Sequence, residues 1–127
     1  MDLHFEHIGI VTREKKPEER FVPATRVWVT DFTKHAYRIE WLRFEPDSPV
    51  TGPVREMPHV AYRVEDLEAA GAGLRVLLAP FDAGPRFAAF YQTADGAVVE
   101  FVQYKSSQES TRENSDETAP RMDREQG

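Results

Sequence analysis

The sequence predicts an α+β fold built from two related strand-rich halves, and three observations carry that expectation. Residues 5 to 12 read Phe-Glu-His7-Ile-Gly-Ile-Val-Thr and residues 57 to 64 read Met-Pro-His59-Val-Ala-Tyr-Arg-Val, each a histidine followed by a branched aliphatic, a small and an apolar residue. The halves also end alike, on Tyr37-Arg38-Ile39-Glu40-Trp41-Leu42 and on Ala97-Val98-Val99-Glu100-Phe101-Val102, each with one carboxylate inside an apolar strand. Between them, Glu45 to Pro58 carries Pro46, Asp47, Ser48, Pro49, Gly52, Pro53 and Pro58, which is linker chemistry.

Residues 3 to 12 read as a strand, with alternation placing Ile8 and Ile10 on one face and Phe5, His7, Gly9 and Val11 on the other. Arg13 to Arg20 is almost wholly charged, contains Pro17 and lacks an apolar face, so it reads as a loop or a short solvated helix. Residues 25 to 32 and 35 to 44 are rich in β-branched and aromatic side chains and are separated by Thr33-Lys34, a hairpin pattern. In the second half a strand over 59 to 64 leads into a helix that starts at Glu65 and Asp66, where acidic residues suit the positive helix end. It runs through Ala70 and stops at Gly71 and Gly73. A buried strand over 74 to 79, a loop from Pro80 to Pro85, a strand over 86 to 93, a tight turn at Asp95-Gly96 and a strand over 97 to 104 complete a β-α-β-β-β unit. From Ser106 onward the only apolar side chains besides Pro120 are Ala119 and Met122, too few to offset the entropy of ordering. Residues 1–105 therefore read as the domain and 106–127 as a disordered polar tail.

A chain of 127 residues suits one domain with a real core. The net charge of -6 opposes binding to nucleic acid or to an anionic membrane surface. There is no cysteine, which removes disulfides, zinc-thiolate sites and thiol catalysis, so any metal must be held by nitrogen and oxygen. Arg13, Glu14, Lys15 and Lys16 interrupt the first strand segment before a signal-like apolar run develops, and no uncharged stretch approaches the roughly 18 residues of a membrane helix. The expected location is the cytoplasm.

A buried carboxylate is costly unless it is paired or bound to a metal. Two of them at repeated positions, with two histidines also at repeated positions, point to a common ligand held by His7, Glu40, His59 and Glu100. His4 and His35 have no counterpart in the repeat and read as surface or strand residues. Arg38 and Arg63 each stand close to a proposed ligand along an alternating strand, where a guanidinium could bind a substrate carboxylate or phosphate, or simply pair with Glu40 or a neighbouring acid. Phe87, Phe90 and Tyr91 read as an aromatic core strand, and Glu65-Asp66 as a helix start rather than an acid/base couple.

These residues resemble the vicinal oxygen chelate superfamily, which includes glyoxalase I, methylmalonyl-CoA epimerase, extradiol dioxygenases and bleomycin-resistance proteins. The resemblance lies in His7-Ile-Gly-Ile and Ile39-Glu40-Trp-Leu, and most fully in His59-Val-Ala-Tyr-Arg-Val-Glu-Asp-Leu-Glu-Ala and Asp95-Gly-Ala-Val-Val-Glu100-Phe-Val. It implies paired β-α-β-β-β modules, about 3–45 and 57–104, forming a cup-shaped mixed sheet with the first module shortened. It further implies four ligands on the concave face and a homodimer. An N2O2 set suits Zn, Ni, Co, Mn or Fe(II). The implied activity is a metal-dependent lyase or isomerase acting on a small oxygen-bearing substrate, with Glu40 or Glu100 carrying a proton. The alternatives are an Fe(II) dioxygenase using His7, His59 and Glu100, and a metal-free small-molecule binder of the bleomycin-resistance kind. Deleting residues 106–127 is expected to leave the melting temperature within a few degrees of the full chain; a larger fall measured by calorimetry would mark the tail as docked.

Overall fold

The structure, a computed structural model, describes residues 2–105. The tail read as disordered lies outside the described residues. The first histidine segment forms β1 (His4–Val11) and its repeat forms β5 (His59–Arg63). They pair antiparallel, with His7 opposite Ala61 and Gly9 opposite His59, so the two halves of the sequence meet at their histidines. Each takes the glutamate strand of its own half as a parallel neighbour, β4 (Ile39–Phe44) beside β1 and β8 (Val98–Tyr104) beside β5. Flanking these are β3 (Val27–Val29) and β2 (Arg20–Val22) on one side, and β7 (Arg86–Gln92) and β6 (Arg75–Asp82) on the other. The result is one mixed sheet in the order β2-β3-β4-β1-β5-β8-β7-β6. Val22 and Val27 from one flank line the same cavity as Leu78 and Phe81 from the other, so the sheet curls into a cup. This is the paired-module architecture that the repeat and the resemblance implied.

The two modules cover their convex faces differently. In the second, Asp66 caps α2 (Leu67–Ala70) by accepting from the Ala69 amide at 3.2 Å. Leu67 and Ala70 then pack with Val64, Ala89, Tyr91, Val99 and Phe101 into the main apolar core. In the first module no helix follows β1. A segment without an apolar face gains little from packing as a helix, and here it lies as a loop over β4. Lys16 sits 4.5 Å from the centre of the Trp41 ring, and Arg43 donates twice to Glu19 at 2.7 and 2.9 Å. The shortening is thus the loss of a helix and not of a strand, since the first module keeps four strands. The three-residue β2 is too short to show as a pattern in sequence.

Other elements depart from the sequence expectation for local reasons. The hairpin partners are as expected, with Val27 opposite Phe44 and Val29 opposite Leu42. Its arms are shorter, because Asp31 caps a 3-10 turn at Phe32–Lys34 and Arg38 adopts a left-handed φ of 56°, so β4 begins only at Ile39. The strand expected to be buried at 74–79 is instead an edge strand, β6, with no buried residue; it continues through Asp82 into the expected loop. The linker contains α1 (Pro53–Glu56), and Val50 and Val54 cluster with Phe90 and Val98 across the cup. Among the described residues no helix is long and apolar enough to cross a membrane.

Candidate metal centre

The four central strands each deliver one side chain to the concave face, and the structure brings all four predicted ligands together. His7 Nε2 lies 3.4 Å from Glu40 Oε1 and 3.3 Å from Glu100 Oε1, and His59 Nε2 lies 3.1 Å from Glu100 Oε1. Donor atoms of His7, Glu40 and His59 all fall within 4.8 Å of one another. All four residues are buried. Despite these short separations, His7 Nε2, both ring nitrogens of His59 and Glu100 Oε1 have no hydrogen-bond partner. Unpartnered polar atoms in a protein interior are rare and call for an ion or another ligand. Two imidazoles and two carboxylates converging in this way fit a divalent metal.

Packing explains why the rings stand where they do. A Cβ at Gly9 would lie 2.0 Å from the His59 ring, so His59 occupies space that only glycine leaves. Phe90 meets the same ring edge-on at 4.9 Å, and Phe32 stacks on His7 at 4.5 Å. Phe90 therefore lines the cup, whereas Tyr91 belongs to the convex core and Phe87 is exposed.

Three further residues complete the cup floor, and alternation conceals their part in it. Regular pleating would put Glu6 opposite His7, but the β1–β5 register shifts between Phe5 and His7. Glu6 is consequently buried beside His7 and 3.0 Å from its Nδ1. It also accepts from Arg86 and from the Tyr104 hydroxyl, both at 2.8 Å. This is the carboxylate–histidine arrangement that fixes a ring tautomer and turns Nε2 to a metal. Burial alone would raise the Glu6 carboxyl, but Arg86 and His7 outweigh it and hold it at about 2. Burial alone would lower His7, yet Glu100, Glu40 and Glu6 together raise it to about 11. Glu100 is pushed up by burial and held well below the usual carboxylate range by His59 and His7.

The cup opens into a cavity that is continuous with solvent. Glu40 and Glu100 line it along with mostly aliphatic and aromatic residues, and so do two arginines, Arg20 and Arg86. Arg38 and Arg63 do not. The positive φ of Arg38 breaks the alternation that would have put it beside Glu40; its Nε donates to the Glu6 carbonyl at 2.7 Å and its guanidinium lies over Phe32. Arg63 pairs across the sheet with His4 and Val102, at the end of β5 away from His59. His4 is exposed in β1, and His35 accepts from the Tyr37 amide.

The fold is a cup built from paired modules, and its floor is a candidate two-histidine, two-glutamate metal centre. No protein-family model and no curated protein matches the sequence. Among solved structures, a glyoxalase/bleomycin resistance protein/dioxygenase superfamily member from Vibrio splendidus 12B01 is similar over 81% of this chain and 99% of that chain, with a TM-score of 0.43 and 12% identity. At that level of likeness the chemistry of the site rests on the side chains themselves.

Two outcomes are expected. Gly9→Ala should force His59 from its place, cost about 1–3 kcal/mol by overpacking and lower zinc affinity by about 100-fold; unchanged zinc titration would show that His59 is not a ligand. In chelator-treated protein, the Glu6 contribution to stability is present above its ordinary 4.5 and lost as pH falls through about 2. The His7 contribution is present below its ordinary 6.5 and lost as pH rises through about 11. The melting temperature should therefore peak between these ordinary values and fall on both sides, the acid limb flattening in Glu6→Gln.

Proposed function

We propose that the protein is a metal-dependent lyase or isomerase of the glyoxalase type that acts on a small oxygen-bearing substrate. One observation supports this reading above all. Two histidines and two glutamates from four strands converge, buried, with His7 Nε2, His59 Nε2 and Glu100 Oε1 facing one another unpartnered. His7, Glu40, His59 and Glu100 would hold the ion, for which Zn, Ni, Co, Mn and Fe(II) are all suited. Such an ion supplies Lewis acidity that makes a C–H beside a bound carbonyl easier to deprotonate.

The remaining work falls to the chain. Glu100 is held between both histidines, whereas Glu40 touches only His7, at 3.4 Å, and lines the cavity; Glu40 is the better placed proton carrier. Glu6, locked by Arg86 and Tyr104, keeps the His7 ring in position. Phe90 and the valines of the cup exclude water around the reacting carbon. The four donors belong to one chain, so the homodimer carried with this reading is not needed to build the site.

A second reading is an Fe(II) oxygenase, favoured by the compact His7, Glu40 and His59 set, two imidazoles and one carboxylate. In that triad Glu40 takes the place that the sequence reading gave to Glu100. Elemental analysis of protein purified without chelator separates the readings: zinc, nickel, cobalt or manganese supports the lyase or isomerase, while iron with substrate-dependent oxygen consumption favours the oxygenase. His59→Ala should weaken metal binding by at least about 100-fold and leave the melting curve of the metal-free protein near wild type. Wild-type protein that takes up no divalent metal would turn the assignment to a metal-free binding cup.

A further inference from the structure

Arg20 enters the cup from β2, just after the loop that stands where the second module has its helix. It lines the cavity with Glu40, Glu100 and Arg86 and remains open to solvent. Most of the other described arginines are engaged: Arg26 with Asp47, Arg43 with Glu19, Arg86 with Glu6, Arg75 with Gln92, and Arg38 and Arg55 with backbone carbonyls. The Arg20 guanidinium makes no hydrogen bond or salt bridge to any described residue. Partial burial and the nearby Arg86 both weigh against its charge, and Glu40 and Asp31 offset them only at longer range. A guanidinium held in a cavity beside a second, already engaged one is a place where an anion gains a strong two-point contact.

The charge count of the cup gives the size of that anion's charge. Glu6, Glu40 and Glu100 bring three negative charges to the floor, and Arg86 together with a divalent ion balances them. The Arg20 cation is left over. One surplus charge suits a monoanion, and a dianion would bring its second charge against Glu40. Apart from Thr25 the rest of the wall is apolar, with Val22, Val29, Leu42, Phe81 and Phe90 facing the same space. A ligand there gains by burying hydrocarbon.

We propose that Arg20 binds the carboxylate of a small monoanionic organic acid whose hydrocarbon chain lies against this valine, leucine and phenylalanine wall. The assignment names the ligand class of the same cup. Its charge count rests on the metal reading, but the unpaired arginine and the apolar wall do not.

The test is calorimetric titration of the full chain with hexanoate, in both zinc-loaded and chelator-treated form, with 1-hexanol and hexyl phosphate as comparators. Hexanoate should bind saturably to both forms and more tightly to the zinc-loaded one. Arg20→Gln should lower its affinity at least tenfold in each form, Arg20→Lys by less, and both variants should titrate with zinc as the wild type does, which shows an intact cup. The proposal is overturned if hexanoate binds neither form, if Arg20→Gln binds it as the wild type does, if 1-hexanol binds as tightly, or if hexyl phosphate binds more tightly. Should zinc fail to bind while hexanoate binding to metal-free protein still depends on Arg20, the metal reading falls and the carboxylate site stands. Zinc uptake with hexanoate binding indifferent to Arg20→Gln has the opposite meaning.

Discussion

The antiparallel seam between β1 and β5 is the constraint from which the rest of the site follows. It sets Gly9 against His59 and His7 against Ala61, so that each histidine faces a residue small enough to leave its ring room. The parallel neighbours inherit that register. Glu40 comes to lie beside Gly9, and Glu100 beside Ala61. Since strand side chains alternate, a slip of one residue at the seam would carry a histidine to the convex face and separate it from both carboxylates. The four donors are therefore positioned by backbone pairing more than by contacts among themselves.

Concentrating so many ionisable groups in the cup floor is costly, and the structure offsets the cost pair by pair. Glu6 is the pivot, because it faces His7 on one side and Arg86 and Tyr104 on the other. That network satisfies the outer nitrogen of His7 and leaves the inner one free. It also accounts for a fully charged arginine in the cup wall: Arg86 loses hydration but gains Glu6, and its guanidinium stays firmly protonated. Removing one member of such a network leaves the others buried without compensation, which ties the orientation of His7 to residues on three different strands.

The two modules share a topology but divide their tasks unequally. The second carries the helix and the largest apolar core, and its convex face is sealed. The first has a charged loop in place of a helix, pinned by Glu19 and Lys16, and its strand β1 leaves Phe5 and Ile8 exposed. The loss of the helix shortens the path to β2, and β2 brings Arg20 to the cup. Asymmetry between the halves thus gives the cavity one cationic flank that the repeat alone would not supply.

How much of this was legible in the sequence differs residue by residue, for physical reasons. The repeat of His7 and His59, and of Glu40 and Glu100, identified the four converging side chains, because strand alternation and a two-fold arrangement of like modules are local rules written in spacing. The same rule misplaced Arg38 and concealed Glu6. A left-handed residue and a register shift each break alternation, and neither leaves a mark in composition. The charged segment announced that it could not pack as an amphipathic helix, yet not that it would lie on Trp41 and Arg43. β6 reads as apolar enough for a core strand, but its place at the edge of the sheet leaves none of its residues fully buried. Sequence by itself determined the module repeat and which two histidines and two glutamates share the concave face. Only the tertiary structure decided which polar groups join the carboxylates in the cup, since Arg20, Arg86 and Tyr104 reach it through the curl of the sheet, a long-range geometry that no short stretch of residues encodes.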